Sequence, residues 1–180
     1  MRNKDKIRWL TRTGVLLALL VAFQWSTAPT QAFAGQYITG SLVNCVLAVA
    51  ALIGGLYCGL TIALVSPFCA FALGVGPKLL QVVPAIALGN AVLVVVLWLL
   101  YRQNKPFWHQ ELSVLLAAVC KFGMLYLAVV KVLIPVMGPA LPLQQANVFQ
   151  VMFSYPQAIT AAIGGTVALL ILPLLRKAIK

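Results

Sequence analysis

From Tyr37 to Pro77 the chain runs for 41 residues without a charged side chain. A helix crosses the roughly 30 Å hydrocarbon core of a bilayer with about 20 apolar residues, so this one stretch is long enough for two crossings. The paired glycines Gly54-Gly55 lie at its middle, where a turn between the two is needed. The rest of the chain is of the same kind. Of 180 residues 63% are apolar and 8% charged, with mean hydropathy +1.03, whereas a soluble domain is about half apolar and a quarter charged. A soluble globular fold is excluded, and the expected fold class is all-α, an integral membrane bundle forming one transmembrane domain over residues 1–180.

Six spans are predicted, at about 9–25, 38–54, 56–75, 84–101, 112–134 and 150–175. Gly76-Pro77-Lys78 closes the third, Arg102 and Lys105 follow the fourth, and Pro135 ends the fifth. The sixth has two readings: a continuous helix from about Val148, or a helix that starts at Pro156, since proline lacks the N–H an interior position needs. Basic residues set the orientation. Arg2, Lys4, Lys6, Arg8 and Arg12 precede or open the first span, Arg102 and Lys105 lie in one loop, and Arg176, Lys177 and Lys180 end the chain. With both termini cytoplasmic these all fall inside, and only Lys78 and Lys131 fall at the outer face. A net charge of +11 then reads as basic ends on an anionic leaflet of the lipid bilayer rather than as a nucleic-acid surface. An alternative for residues 1–34 is a cleaved signal peptide, with Thr13–Phe23 as its apolar core and Ala32-Phe33-Ala34 as the cleavage site.

Chemistry-bearing groups are few. The two acidic residues, Asp5 and Glu111, lie outside the apolar stretches. His109 is a loop residue. Cys45, Cys58, Cys69 and Cys120 form no CxxC pair and read as buried thiols. Walker A, HExxH and GxSxG patterns are absent, so the chain is expected to be no enzyme, to hold no metal or cofactor, and not to use ATP itself.

Lys121 is the sharpest residue. It lies near the middle of the fifth span, where a cation costs a few kcal/mol or more and is expected to face an interior cavity for a purpose. No acidic residue in any span is available to pair with it. Lys131 is ten residues on, about 80° round a regular helix, and so on the same half of the bundle; the alternative is that it snorkels to the interface. In the sixth span Gln150, Ser154, Gln157, Ala161 and Gly164 share one face if the helix is continuous, and Gln157 lies near the outer mouth on either reading. Asn90 is buried in the fourth span, either toward a ligand or bonding between helices, and Asn44 in the second reads as an interhelical bond. Trp25, Gln36 and Tyr37 flank the first outer loop, as an aromatic belt or as a lid. Gly14, Ala18 and Ala22 put small side chains on one face of the first span, which suits close helix packing, inside the bundle or against another protein.

In size, span number and order of motifs the chain resembles the substrate-binding S components of energy-coupling factor (ECF) transporters, bacterial importers of vitamins and other micronutrients. The resemblance is carried by Ala18-Leu19-Leu20-Val21-Ala22, by Leu52-Ile53-Gly54-Gly55-Leu56, by Pro84-Ala85-Ile86-Ala87-Leu88-Gly89-Asn90 and by Ala161-Ala162-Ile163-Gly164-Gly165. It implies a multi-pass protein of the bacterial plasma membrane whose first helix, through Gly14, Ala18 and Ala22, docks on a membrane-embedded T component. Two cytoplasmic ATPases would spend the ATP. It also implies a pocket near the outer surface for a small-molecule micronutrient, to which Gln36, Tyr37, Asn90, Lys121, Lys131 and Gln157 are the candidate contacts. The lysines favour a ligand with an anionic or strongly polar group. The competing expectation is an accessory membrane protein that binds a partner and no solute.

Overall fold

The computed structural model describes residues 3–28 and 35–179, with side chains from Lys6 to Ala178; the expected cleavage site at Ala32-Phe33-Ala34 lies outside the described residues. Helix α1 spans Asn3–Thr27, so the basic N-terminal stretch continues the first span rather than preceding it. Helix α2 is Gly35–Val49, widened into a π-helical turn over Ala50–Gly54. Gly55 follows at φ +83°, in the region that glycine enters without steric cost, and so turns the chain directly into α3, Leu56–Ala72. Helix α4 is Val83–Leu100, with Pro84 in its first turn, where a missing N–H costs nothing.

Helix α5 begins at Phe107, continues past Leu125 as a π-helix over Tyr126–Leu133, and runs on through Pro135 to Met137. It is longer at both ends than the expected 112–134. The sixth span is not one helix from residue 150. A short α6, Leu143–Met152, ends at Phe153, and α7 runs from Tyr155 to Ile179 with Pro156 as its second residue. Five helical stretches are long and apolar enough to cross a membrane, while α3 is apolar but has 17 residues.

The six long helices close into a ring in the order α1, α2, α7, α5, α4, α3 and back to α1, with α2 also touching α4 across the middle. The tightest seam is between α2 and α7. A Cβ on Gly164 would strike the Ser41 carbonyl and lie 2.8 Å from the Asn44 Cβ, so a glycine is needed for this approach. One apolar core, with Leu47, Ile62, Leu93, Leu97 and Val114, fills the end of the ring near the basic termini. A smaller one, with Val82, Leu125, Val129, Phe149 and Phe153, lies under α6 at the other end. The ring leaves a cavity at its α6 end, on top of the larger core.

Candidate functional site

The cavity holds about 510 Å³ and is bordered by every long helix and by α6. That volume suits a compact solute, because ligand pockets run from about 300 to 1,000 Å³. Its walls are largely apolar, from Val43, Pro67, Phe71, Val83, Ile86 and Phe153. Its polar groups are concentrated at the floor and on one wall.

The floor is a layer of buried polar side chains between the cavity and the larger core. Lys121 is 3% exposed and its Nζ donates to Asn44 Oδ1 at 2.6 Å and to Asn90 Oδ1 at 2.7 Å. The Asn44 amide in turn donates to Thr160 Oγ1 at 3.3 Å. Two helices therefore meet the lysine of α5 directly, α2 through Asn44 and α4 through Asn90, and α7 joins the network one bond further out, through Thr160 on Asn44. Charge-assisted bonds of this kind contribute about 1.5–3 kcal/mol each, which offsets part of the cost of burying the cation. An ammonium has three N–H donors, and two of them are used here. Glu111, the one carboxylate with a described side chain, lies ten residues away on α5, about 15 Å along the axis. It accepts from Thr166 at 2.6 Å, and neither of its oxygens meets a cation. Among the described residues the Lys121 amine is thus held by amide oxygens alone, beside an open volume.

The upper wall is organised by the break between α6 and α7. Ending α6 at Met152 frees that residue's carbonyl, and both Gln36 Nε2 and Gln157 Nε2 donate to it at 3.0 Å. This ties the start of α2 to the start of α7 and leaves two amide oxygens without a role in the tie. Tyr37 lies beside Tyr155 at the same rim. Gln24 of α1, the neighbour of α2 in the ring, also lines the cavity; it is 7% exposed and its Oε1 has no hydrogen-bond partner.

Residues 8–176 match the family model of the ECF transporter, substrate-specific component, which is nearly the whole chain. The chain belongs to that family. It is a multi-pass membrane protein and a substrate-specific subunit of an ECF transporter, in a family of transporter subunits and not of enzymes. ECF S components work with an ECF module of a T component and ATPases, and with a small-molecule substrate. No curated protein and no solved structure matches the chain.

In this S component, Gln36, Tyr37, Asn90, Lys121 and Gln157 line one cavity, although they come from four helices. Lys131 does not, and its expected place there is corrected. A π-helix winds each residue through roughly 15–20° less than an α-helix does. From Tyr126 to Lys131 the deficit reaches about 90°, enough to swing Lys131 to nearly the far side of α5 from Lys121. It is exposed, with its Nζ 5.6 Å from the centre of the Tyr126 ring. The expected stripe through Gln150 and Ser154 is likewise cut by the start of a new helix at Tyr155, and Gln150 is exposed.

Gly14, Ala18 and Ala22 are all exposed, while Thr13, Leu20 and Gln24 form the buried face of α1. The small-residue stripe therefore faces away from the bundle, and internal packing does not account for it. Sequence reasoning missed Thr160 and Gln24 as cavity residues and gave Asn44 only its interhelical bond. A glutamine eleven residues after Thr13 on one face of α1 was a usable signal, since both are polar on a buried stripe. The loop expected between the first two spans falls mostly on residues 29–34, outside the described residues, so only its flank at Gln36 and Tyr37 is located.

Proposed function

We propose that this S component captures a vitamin or related micronutrient carrying an anionic or strongly polar group, and that it does so in the 510 Å³ cavity near the outer face of the bacterial plasma membrane. The observation that carries the reading is the buried Lys121 ammonium, held by Asn44 and Asn90 with no carboxylate partner at the edge of an open volume. A ligand anion at that point gains the Coulombic attraction that the chain itself leaves unused, in surroundings of low dielectric constant where it is strong. Asn90 and Lys121 would meet the polar group, while Gln36, Tyr37 and Gln157 would close over the other end of the ligand. The carriage of the charge by one lysine disfavours cationic substrates.

Transport would then need the partners. The exposed face of Gly14, Ala18 and Ala22 suits close contact with a helix of the T component, and two cytoplasmic ATPases would supply the energy, this chain binding no nucleotide or cofactor. The near absence of charge from the outer surface of the bundle suits an S component that tilts in the bilayer with its ligand.

A thermal-shift screen of micronutrients against the purified protein tests the reading. A tight ligand at about a thousandfold excess over its Kd stabilises by about 4 kcal/mol. A ligand with an anionic group that shifts the wild type, and binds Lys121→Met at least about tenfold more weakly by calorimetry, supports it. A screen in which only cationic or uncharged compounds bind, with no change in Lys121→Met, would overturn the assignment of Lys121.

A further inference from the structure

A second cavity, of about 720 Å³, lies at the opposite end of the bundle, where the basic termini gather. Arg12 of α1 and Arg176 and Lys177 of α7 line it, and among the described residues no acidic side chain does. The nearest carboxylate in sequence, Glu111, is turned toward Thr166 instead. Three cations brought together from the two ends of the chain repel one another, so their convergence on a concave site is unfavourable unless an anion joins them. One of the three is also held in place. Arg176 Nη1 donates to the Tyr101 hydroxyl at 3.2 Å, and its guanidinium lies 5.6 Å from the centre of the Tyr101 ring. That leaves most of the guanidinium's donors free in a fixed fork, the geometry that matches a phosphate.

The rest of the lining says what kind of phosphate. Gln103, Gln110 and Tyr101 add neutral polar groups beside the cations, and Leu52, Ile53, Leu169, Leu172 and Pro173 supply an apolar part of the wall. On the outer side of α7, Leu170 and Leu174 are 62% and 71% exposed and continue that apolar surface along the helix. A charged head with hydrocarbon beside it fits such a site better than a free ion, which would leave the apolar wall in contact with nothing. We infer that this cavity binds the phosphate headgroup of an anionic phospholipid, with Arg12, Arg176 and Lys177 on the phosphate and the acyl chains lying along α7. Basic pockets between membrane helices take anionic headgroups in this way. The site is distinct from the 510 Å³ cavity, sharing no residue with it.

The test uses the full chain in a neutral detergent, titrated separately with phosphatidylglycerol, phosphatidylcholine and inorganic phosphate while its melting temperature is followed. Phosphatidylglycerol is expected to raise the melting temperature, with phosphatidylcholine and inorganic phosphate giving little change. The double variant Arg12→Gln/Arg176→Gln is expected to bind phosphatidylglycerol at least about tenfold more weakly. Arg102→Gln/Lys105→Gln removes the same charge from a neighbouring loop outside the cavity, and is expected to leave that affinity unchanged. Equal stabilisation by both lipids, or by inorganic phosphate alone, would overturn the inference. So would an equal loss of affinity in both double variants, which would show a general charge effect. Should Arg12→Gln/Arg176→Gln fail to fold, Lys177→Gln at the exposed rim gives the same comparison with a smaller loss.

Discussion

Lys121 and Lys131 sit on one helix and carry the same charge, yet their surroundings differ in every respect that decides function. Lys121 is enclosed and bonded to two amide oxygens; Lys131 is exposed and rests near an aromatic ring. Two substitutions of one kind should therefore separate them. Lys121→Met is expected to weaken capture of an anionic micronutrient at least about tenfold, whereas Lys131→Met should leave it within about twofold, both read by calorimetry. Stability at the floor follows a different rule. Asn44 both accepts from Lys121 and donates to Thr160, so Asn44→Ala strands two buried groups and is expected to cost about 1–3 kcal/mol, or more because one of them is charged. A melting temperature unchanged in that variant would mean that water replaces the amide at no cost. Lys121 itself was legible in the sequence, because a lone cation in an apolar run is costly whatever the fold. The part played by Asn44 was not, since its two partners lie 77 and 116 residues away and no local pattern connects them.

At the level of helices, the seam between α2 and α7 and the outer face of α1 make opposite predictions for the insertion of a larger side chain. Gly164 has the backbone of α2 against it, so Gly164→Leu is expected to destabilise by at least about 1–3 kcal/mol as overpacking. Spans of this total size lose roughly 2–4 °C per kcal/mol, which a thermal melt resolves. Ala18 and Ala22 face outward, so Ala18→Leu/Ala22→Leu should leave the melt and ligand binding as they are, yet abolish co-purification with the T component. Retained co-purification would remove α1 from the docking surface. Most helices could be read from runs of apolar residues and from the charges, glycines and prolines between them. The π-helical stretch in α5 could not, because Tyr126–Leu133 has the same apolar composition as the α-helix before it, and the misplacement of Lys131 follows from that. The break before Tyr155 was signalled by Pro156, a residue compatible with either reading until the packing of Met152 is known.

Across the whole molecule, a ring of six helices encloses two cavities of opposite kind at its two ends, one walled mainly by apolar groups above a single buried cation and one rimmed by three. The sequence foretold the first end better than the second. Lys121 and Asn90 stand out individually, whereas Arg12 and Arg176 look like ordinary flanking charges until the ring brings the first and last helices to the same corner. The ring also has one low wall. Helix α3 has 17 residues with Pro67 inside it, about 25 Å at 1.5 Å per residue, whereas the hydrocarbon layer is roughly 30 Å. Lipid beside a short span has to compress to meet it, so the protein should indent the bilayer on that flank alone. Short-chain lipids would relieve the compression, and the melting temperature in short-chain bilayers is expected to exceed that in long-chain ones.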